Sequence, residues 1–96
     1  MTYKVLVSAR TQLEIENAID YYAENSEDAP ASFIASLKEA YHQLSITPFQ
    51  RLRYKSIRAV KINKFPFSLY FTLNKTTKTV KILSCFHNKR NPDKRP

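Results

Sequence analysis

Apolar residues along this chain follow two different periods, and the change comes near residue 49. Tyr3, Val5 and Val7 alternate with Lys4, Leu6 and Ser8, the two-residue repeat of a strand. Ser8 and Thr11 both fit a helix N-cap. Thr11-Gln12-Leu13-Glu14 also has capping-box spacing, in which the glutamate returns to the cap's own N–H. Ile15, Ala18, Ile19 and Tyr22 then fall at i, i+3, i+4 and i+7, one apolar stripe of a helix, with Glu14, Glu16, Asp20 and Glu24 at more polar positions. Asn25-Ser26-Glu27-Asp28 breaks the stripe, and Asp28-Ala29-Pro30 reads as an N-cap with proline in the first turn, where its missing N–H is no loss. Phe33, Ile34, Leu37, Ala40, Tyr41 and Leu44 make a second stripe, ended by Pro48. Two helices this close predict an antiparallel hairpin.

Beyond Phe49 the repeat becomes that of strands. Arg58, Val60, Ile62 and Lys64 alternate with Ile57, Ala59, Lys61 and Asn63. Phe67, Leu69, Phe71 and Leu73 alternate with Ser68, Tyr70, Thr72 and Asn74. Phe65-Pro66 is a short connection between these strands, and Asn74-Lys75-Thr76-Thr77-Lys78 is a polar turn before a strand over 79–86. Strands joined so closely pair antiparallel. The expected fold is therefore α+β, in the order β-α-α-β-β-β. A helical hairpin covers one face of a twisted, mostly antiparallel sheet, and the other face is left for a partner.

Ninety-six residues suffice for one core burying roughly 60 to 70% of the unfolded surface, so the chain reads as one domain over 1–96, with a polar, basic tail from about residue 88. Glycine is absent, which disfavours turns needing two successive positive φ angles and predicts loops longer than two residues. No apolar run reaches membrane-spanning length, and the N-terminus leads into a strand pattern rather than a signal peptide, so a cytoplasmic protein without membrane contact is expected. Cys85, the one cysteine, has no partner for a disulfide or a thiolate cluster and reads as a small buried apolar residue.

Charge is divided between the halves. Residues 1–48 hold three basic and seven acidic residues, net −4, whereas 49–96 hold thirteen basic residues against Asp93 alone, net +12. A field of one sign on that scale marks a surface that meets a polyanion or an acidic protein.

Within the basic half, His87 and Arg90 form the most suggestive cluster. Imidazole can move a proton near neutral pH, and a guanidinium can hold a phosphate through two parallel hydrogen bonds. Cleaving RNA through its own 2′-OH requires a base, an acid and cations on the phosphate. His87, Arg90, Arg58 and Lys61 are the candidate catalytic residues for such chemistry. Arg51, Arg53, Lys64, Lys81 and Lys89 are candidate binding cations. A lone histidine at a strand end is also a common hydrogen-bonded structural residue. No metal-ligand spacing, glycine-rich phosphate loop or nucleophile elbow is present, so neither a metal nor another cofactor is expected.

Five segments in order carry a resemblance: Ala18-Ile19-Asp20-Tyr21-Tyr22, Ala31-Ser32-Phe33-Ile34 to Leu37, Thr47-Pro48-Phe49, Ile57-Arg58 to Lys64-Phe65-Pro66-Phe67-Ser68-Leu69-Tyr70-Phe71, and Phe86-His87-Asn88-Lys89-Arg90-Asn91-Pro92. Together they resemble the RelE/ParE toxins across nearly the whole chain. The resemblance implies the toxin of a bacterial type II toxin-antitoxin module, of the plasmid-stabilisation kind, silenced by an antitoxin laid over its basic sheet and helices. It implies either a ParE-like poison of DNA gyrase or a RelE-like, metal-independent nuclease cutting mRNA on the ribosome. A non-toxic basic nucleic-acid-binding module is the third reading. Many relatives carry tryptophan after Asn-Pro, where this chain has Asp93-Lys94-Arg95.

Overall fold

The computed structural model describes residues 2–48, 52–54 and 56–88. Strand β1 (Lys4–Val7) leads into helices α1 (Ala9–Asn25) and α2 (Ala29–Ile46), followed by β2 (Leu52–Tyr54), β3 (Ile57–Lys61), β4 (Phe67–Asn74) and β5 (Thr79–His87). The strands form one sheet in the order β1-β5-β4-β3-β2. Pairing is antiparallel throughout except that β1 runs parallel to β5, with Val5 opposite Val80 and Val7 opposite Ile82. The expected order is thus present, with a short additional strand, β2, that three residues could not announce by alternation.

Period-2 alternation on β4 sets the two faces of the sheet. Phe67, Leu69 and Phe71 point to the helices and join Val60, Ile62, Val80, Ile82 and Cys85 in one core with Ile15, Ala18, Phe33, Leu37 and Leu44. Rings link one end of this core: Phe33 lies 5.2 Å from Phe65, 5.6 Å from Phe67 and 5.5 Å from Tyr22. The Phe33–Phe65 and Phe33–Phe67 pairs are edge-to-face, an arrangement that adds to simple burial.

Both helices start at expected cap positions, Ser8 and Asp28, but the capping bonds differ in part from those expected. Ser8 alone caps α1, its Oγ accepting from the Thr11 N–H at 3.1 Å, and Thr11 is fully buried with its hydroxyl donating to the Ile82 carbonyl. Glu14 does not close a capping box. It is drawn away to β5, as described below. At α2, Asp28 makes no side-chain cap bond, and Ser26 Oγ accepts from the N–H groups of Asp28 and Ala29 instead.

Without glycine, positive φ among the described residues falls at Lys64 (71°) and Lys78 (53°), one in each turn flanking β4 and never two in succession. Asn74 Oδ1 steadies the second turn by accepting from the N–H groups of Thr76 and Thr77, both at 3.0 Å. Among the described residues no helix is long and apolar enough to cross a membrane.

Candidate functional site

Strand β5 is longer than its parallel neighbour β1, and the mismatch builds a cleft. Pairing with β1 stops at Ile82, and a bulge follows, since Phe71 faces Ile82 while Tyr70 faces Ser84, leaving Leu83 as the extra residue. The N-terminus of α1 is fastened here. Ser8 N–H donates to the Ile82 carbonyl and Ser8 Oγ donates to that of Leu83.

Beyond the bulge, α1 takes the place of β1 along the strand. Glu14 Oε1 accepts the Cys85 N–H and the Ser84 hydroxyl, each at 3.0 Å, the first a backbone bond that a longer β1 would otherwise have to provide. Arg10 Nε approaches the other oxygen of Glu14 at 3.5 Å. One turn on from Glu14, Ala18 leaves room, and a cleft of about 350 Å³ opens between Glu14, Tyr21 and Tyr22 of α1 and Phe67, Cys85 and His87 of the sheet.

Chemistry at Cys85 is suppressed. The thiol is buried, and burial first, then the charge of Glu14, pushes it up to about 12, so it stays protonated and unreactive. Tyr41 is likewise raised to about 12, chiefly by burial and secondarily by Cys85.

His87 ends β5 on the helix side of the sheet, half-buried, its ring 4.9 Å from that of Phe67 at 78°. Arg58 lies opposite Phe71 on that same face. Four residues along the strand and two strand spacings across put the Arg58 and His87 backbones roughly 16 Å apart. Lys61 faces Ser68 and Lys81 faces Thr72, so both project from the opposite, outer face, exposed. Lys64 is exposed in the β3–β4 turn.

Of the described candidates, Arg58 and His87 thus share the helix-side face, and Lys61 and Lys81 lie on the outer one. Arg53 lies in β2 with its side chain outside the described residues, and Arg51, Lys89, Arg90 and the remaining tail are outside them altogether. Among the described residues no three His, Cys, Asp or Glu side chains gather as metal ligands.

The outer face is less open than the alternation suggests. Its middle, with Ser68, Tyr70 and Phe86, is at most 8% exposed, and the Tyr70 and Phe86 rings stand 5.7 Å apart. Exposed lysines flank this patch, Lys61 opposite Ser68 and Lys81 opposite Thr72, with exposed Leu6 opposite Lys81 and Lys4 farther along β1.

Sequence reasoning missed the cleft. Glu14 fitted a local cap, and nothing in a linear pattern shows that β5 runs past β1. The one available signal was a glutamate one turn before Ala18, on the buried side of α1.

No protein-family model matches the sequence, and no curated protein matches it. Among solved structures, a chain described as the chromosomal ParDE TA system from P. aeruginosa superposes with a TM-score of 0.75 over 88% of this chain and 95% of that one, at 14% identity. The two chains share one fold, so the likeness to RelE/ParE toxins read from sequence segments extends to the architecture.

Proposed function

We propose that this chain is the toxin of a type II toxin-antitoxin pair. It is ParE-like, halts growth in the cytoplasm by binding a target such as DNA gyrase, and is neutralised by an antitoxin. One observation carries the reading: the fold is that of a ParDE chain along almost the full length of both proteins. Charge supports it, since Lys4, Lys61 and Lys81 stand on the outer face of the sheet with no acid on β3, β4 or β5. Such a surface suits an acidic protein segment or a nucleoprotein target.

Geometry gives less to the ribonuclease. A base and a phosphate-holding cation must reach one phosphodiester, within hydrogen-bond distance of its oxygens. The His87 and Arg58 backbones are roughly 16 Å apart, and Lys61 sits on the other face.

The test is to induce the chain in bacterial cells while adding the purified protein to a gyrase supercoiling assay and to a translating extract. The expected result is growth arrest with inhibited supercoiling and intact mRNA, all unchanged by His87→Ala. New mRNA ends at the ribosomal A site that vanish with His87→Ala would instead establish the nuclease. Cells that keep growing would remove the toxin assignment altogether.

A further inference from the structure

We propose that the cleft between α1 and the end of β5 receives the guanidinium of an arginine side chain presented by a partner protein. Four rings wall it in a connected series. Tyr21 and Tyr22 are 5.4 Å apart at 72°, Tyr22 and Phe67 6.4 Å at 72°, and Phe67 and His87 4.9 Å at 78°. Each wall stands steeply to the next, as in a box rather than a stack. A cation entering such a box comes within the roughly 6 Å at which ring quadrupoles attract it.

Glu14 supplies the counter-charge at the far wall. Its position is fixed by the Ser84 hydroxyl and the Cys85 N–H, so an incoming cation orders nothing further. The chain's own Arg10 guanidinium already approaches Glu14 Oε2 at 3.5 Å from the rim, 58% exposed. That contact shows which chemistry the carboxylate attracts and leaves it long and replaceable. A planar, weakly hydrated guanidinium suits ring faces and a carboxylate together better than a lysine ammonium does.

Charge excludes the opposite class of ligand. Helix α1 holds Arg10 against Glu14, Glu16, Asp20 and Glu24, net −3 in a chain of net +8, so phosphates are steered to the sheet and cations to this helix. Size and surroundings favour a side chain on a protein over a free metabolite. About 350 Å³ is near the lower bound for small-molecule sites, and α1 also exposes Leu13 (58%) and Tyr21 (49%), apolar footing for the residues flanking such an arginine. The proposal does not depend on which target the toxin reading names.

Nuclear magnetic resonance on the full chain tests it, with acetyl-Gly-Arg-Gly-amide as probe and its citrulline counterpart as the uncharged isostere. The arginine peptide is expected to give saturable shifts at the Ser84 and Cys85 amides and the Tyr21 and His87 rings, and the citrulline peptide none. Tyr21→Ala, at an exposed position, should keep the helical circular dichroism and weaken binding about tenfold. Arg10→Ala should strengthen it a few-fold, about the worth of an exposed ion pair removed from competition. Equal shifts from both peptides, no shift at all, or saturation of these residues by AMP would overturn the site. Free arginine binding as tightly as the peptide, or a tenfold gain on Arg90→Ala, would overturn the partner protein as its source.

Discussion

The two faces of the sheet divide the work of the molecule. Facing the helices, Phe67, Leu69 and Phe71 are at most 8% exposed and share one cluster with Phe33, Leu37 and Leu44. On the outer face, the same strand carries Ser68, Tyr70 and Thr72, and its neighbours add Lys61 and Lys81. Burial of rings and aliphatic groups supplies most of the folding free energy, whereas exposed lysines supply almost none and instead set the long-range field. Substitutions on the inner face should therefore cost stability first, and those on the outer face recognition first.

The sharpest way to break that division is Phe33→Ala. Phe33 is fully buried and touches Tyr22, Phe65 and Phe67. Its loss should cost ~3–5 kcal/mol, lowering the melting temperature by roughly 15 °C or more in a chain of this size. Scanning calorimetry checks this. A variant that melts near the wild type while losing its target would reverse the division.

A smaller effect comes from pH, again on the inner face. The Cys85 thiol, ordinarily 9.0, is raised to about 12 in the folded chain by burial and by Glu14. Below 9 both states hold the proton and stability is unaffected. Above 9 the unfolded thiol ionises while the folded one does not, so stability falls as pH rises towards 12, by about 1.4 kcal/mol per pH unit at most. Tyr41, ordinarily 10.0 and also raised to about 12, adds its own loss from 10 upward. Cys85→Ala should delay the onset of alkaline unfolding by about one pH unit, from 9 to 10, leaving the Tyr41 limb in place. Urea denaturation between pH 8 and 11 follows both limbs, and an unshifted onset would mean that the folded thiol titrates freely.

How much of this could be read from the chain follows from the range of each interaction. Alternation over 67–74 and the stripes Ile15-Ala18-Ile19-Tyr22 and Phe33-Leu37-Ala40-Leu44 are local, and they mark the residues that meet in the core. The resemblance segments led to the fold that the ParDE likeness supports. Parallel pairing of β1 with β5 was hidden, because it joins residues seventy-five apart and no turn announces it. Glu14 shows the same limit. A capping box and a bond to Cys85 use the same residue type, and the choice between them depends on where β5 outruns β1. Grouping His87, Arg58 and Lys61 required strand register, in which one step changes the face and four steps add roughly 13 Å.

The smallest effect on stability should accompany a large effect on recognition, on the outer face. Lys61→Glu with Lys81→Glu lowers the net charge from +8 to +4 at two exposed positions outside the described core. Each substitution should change stability by no more than ~0.5 kcal/mol, since surface sites away from caps and buried networks rarely matter more. Partner capture is different, because both lysines contribute to a field that extends about 8 Å at physiological salt and speeds encounter with acidic surfaces. On the proposed gyrase reading, the double variant should melt with the wild type yet inhibit supercoiling about tenfold more weakly, with a shallower salt dependence. Inhibition that survives both substitutions would move target recognition off this face and towards the cleft at α1, where the charge has the opposite sign.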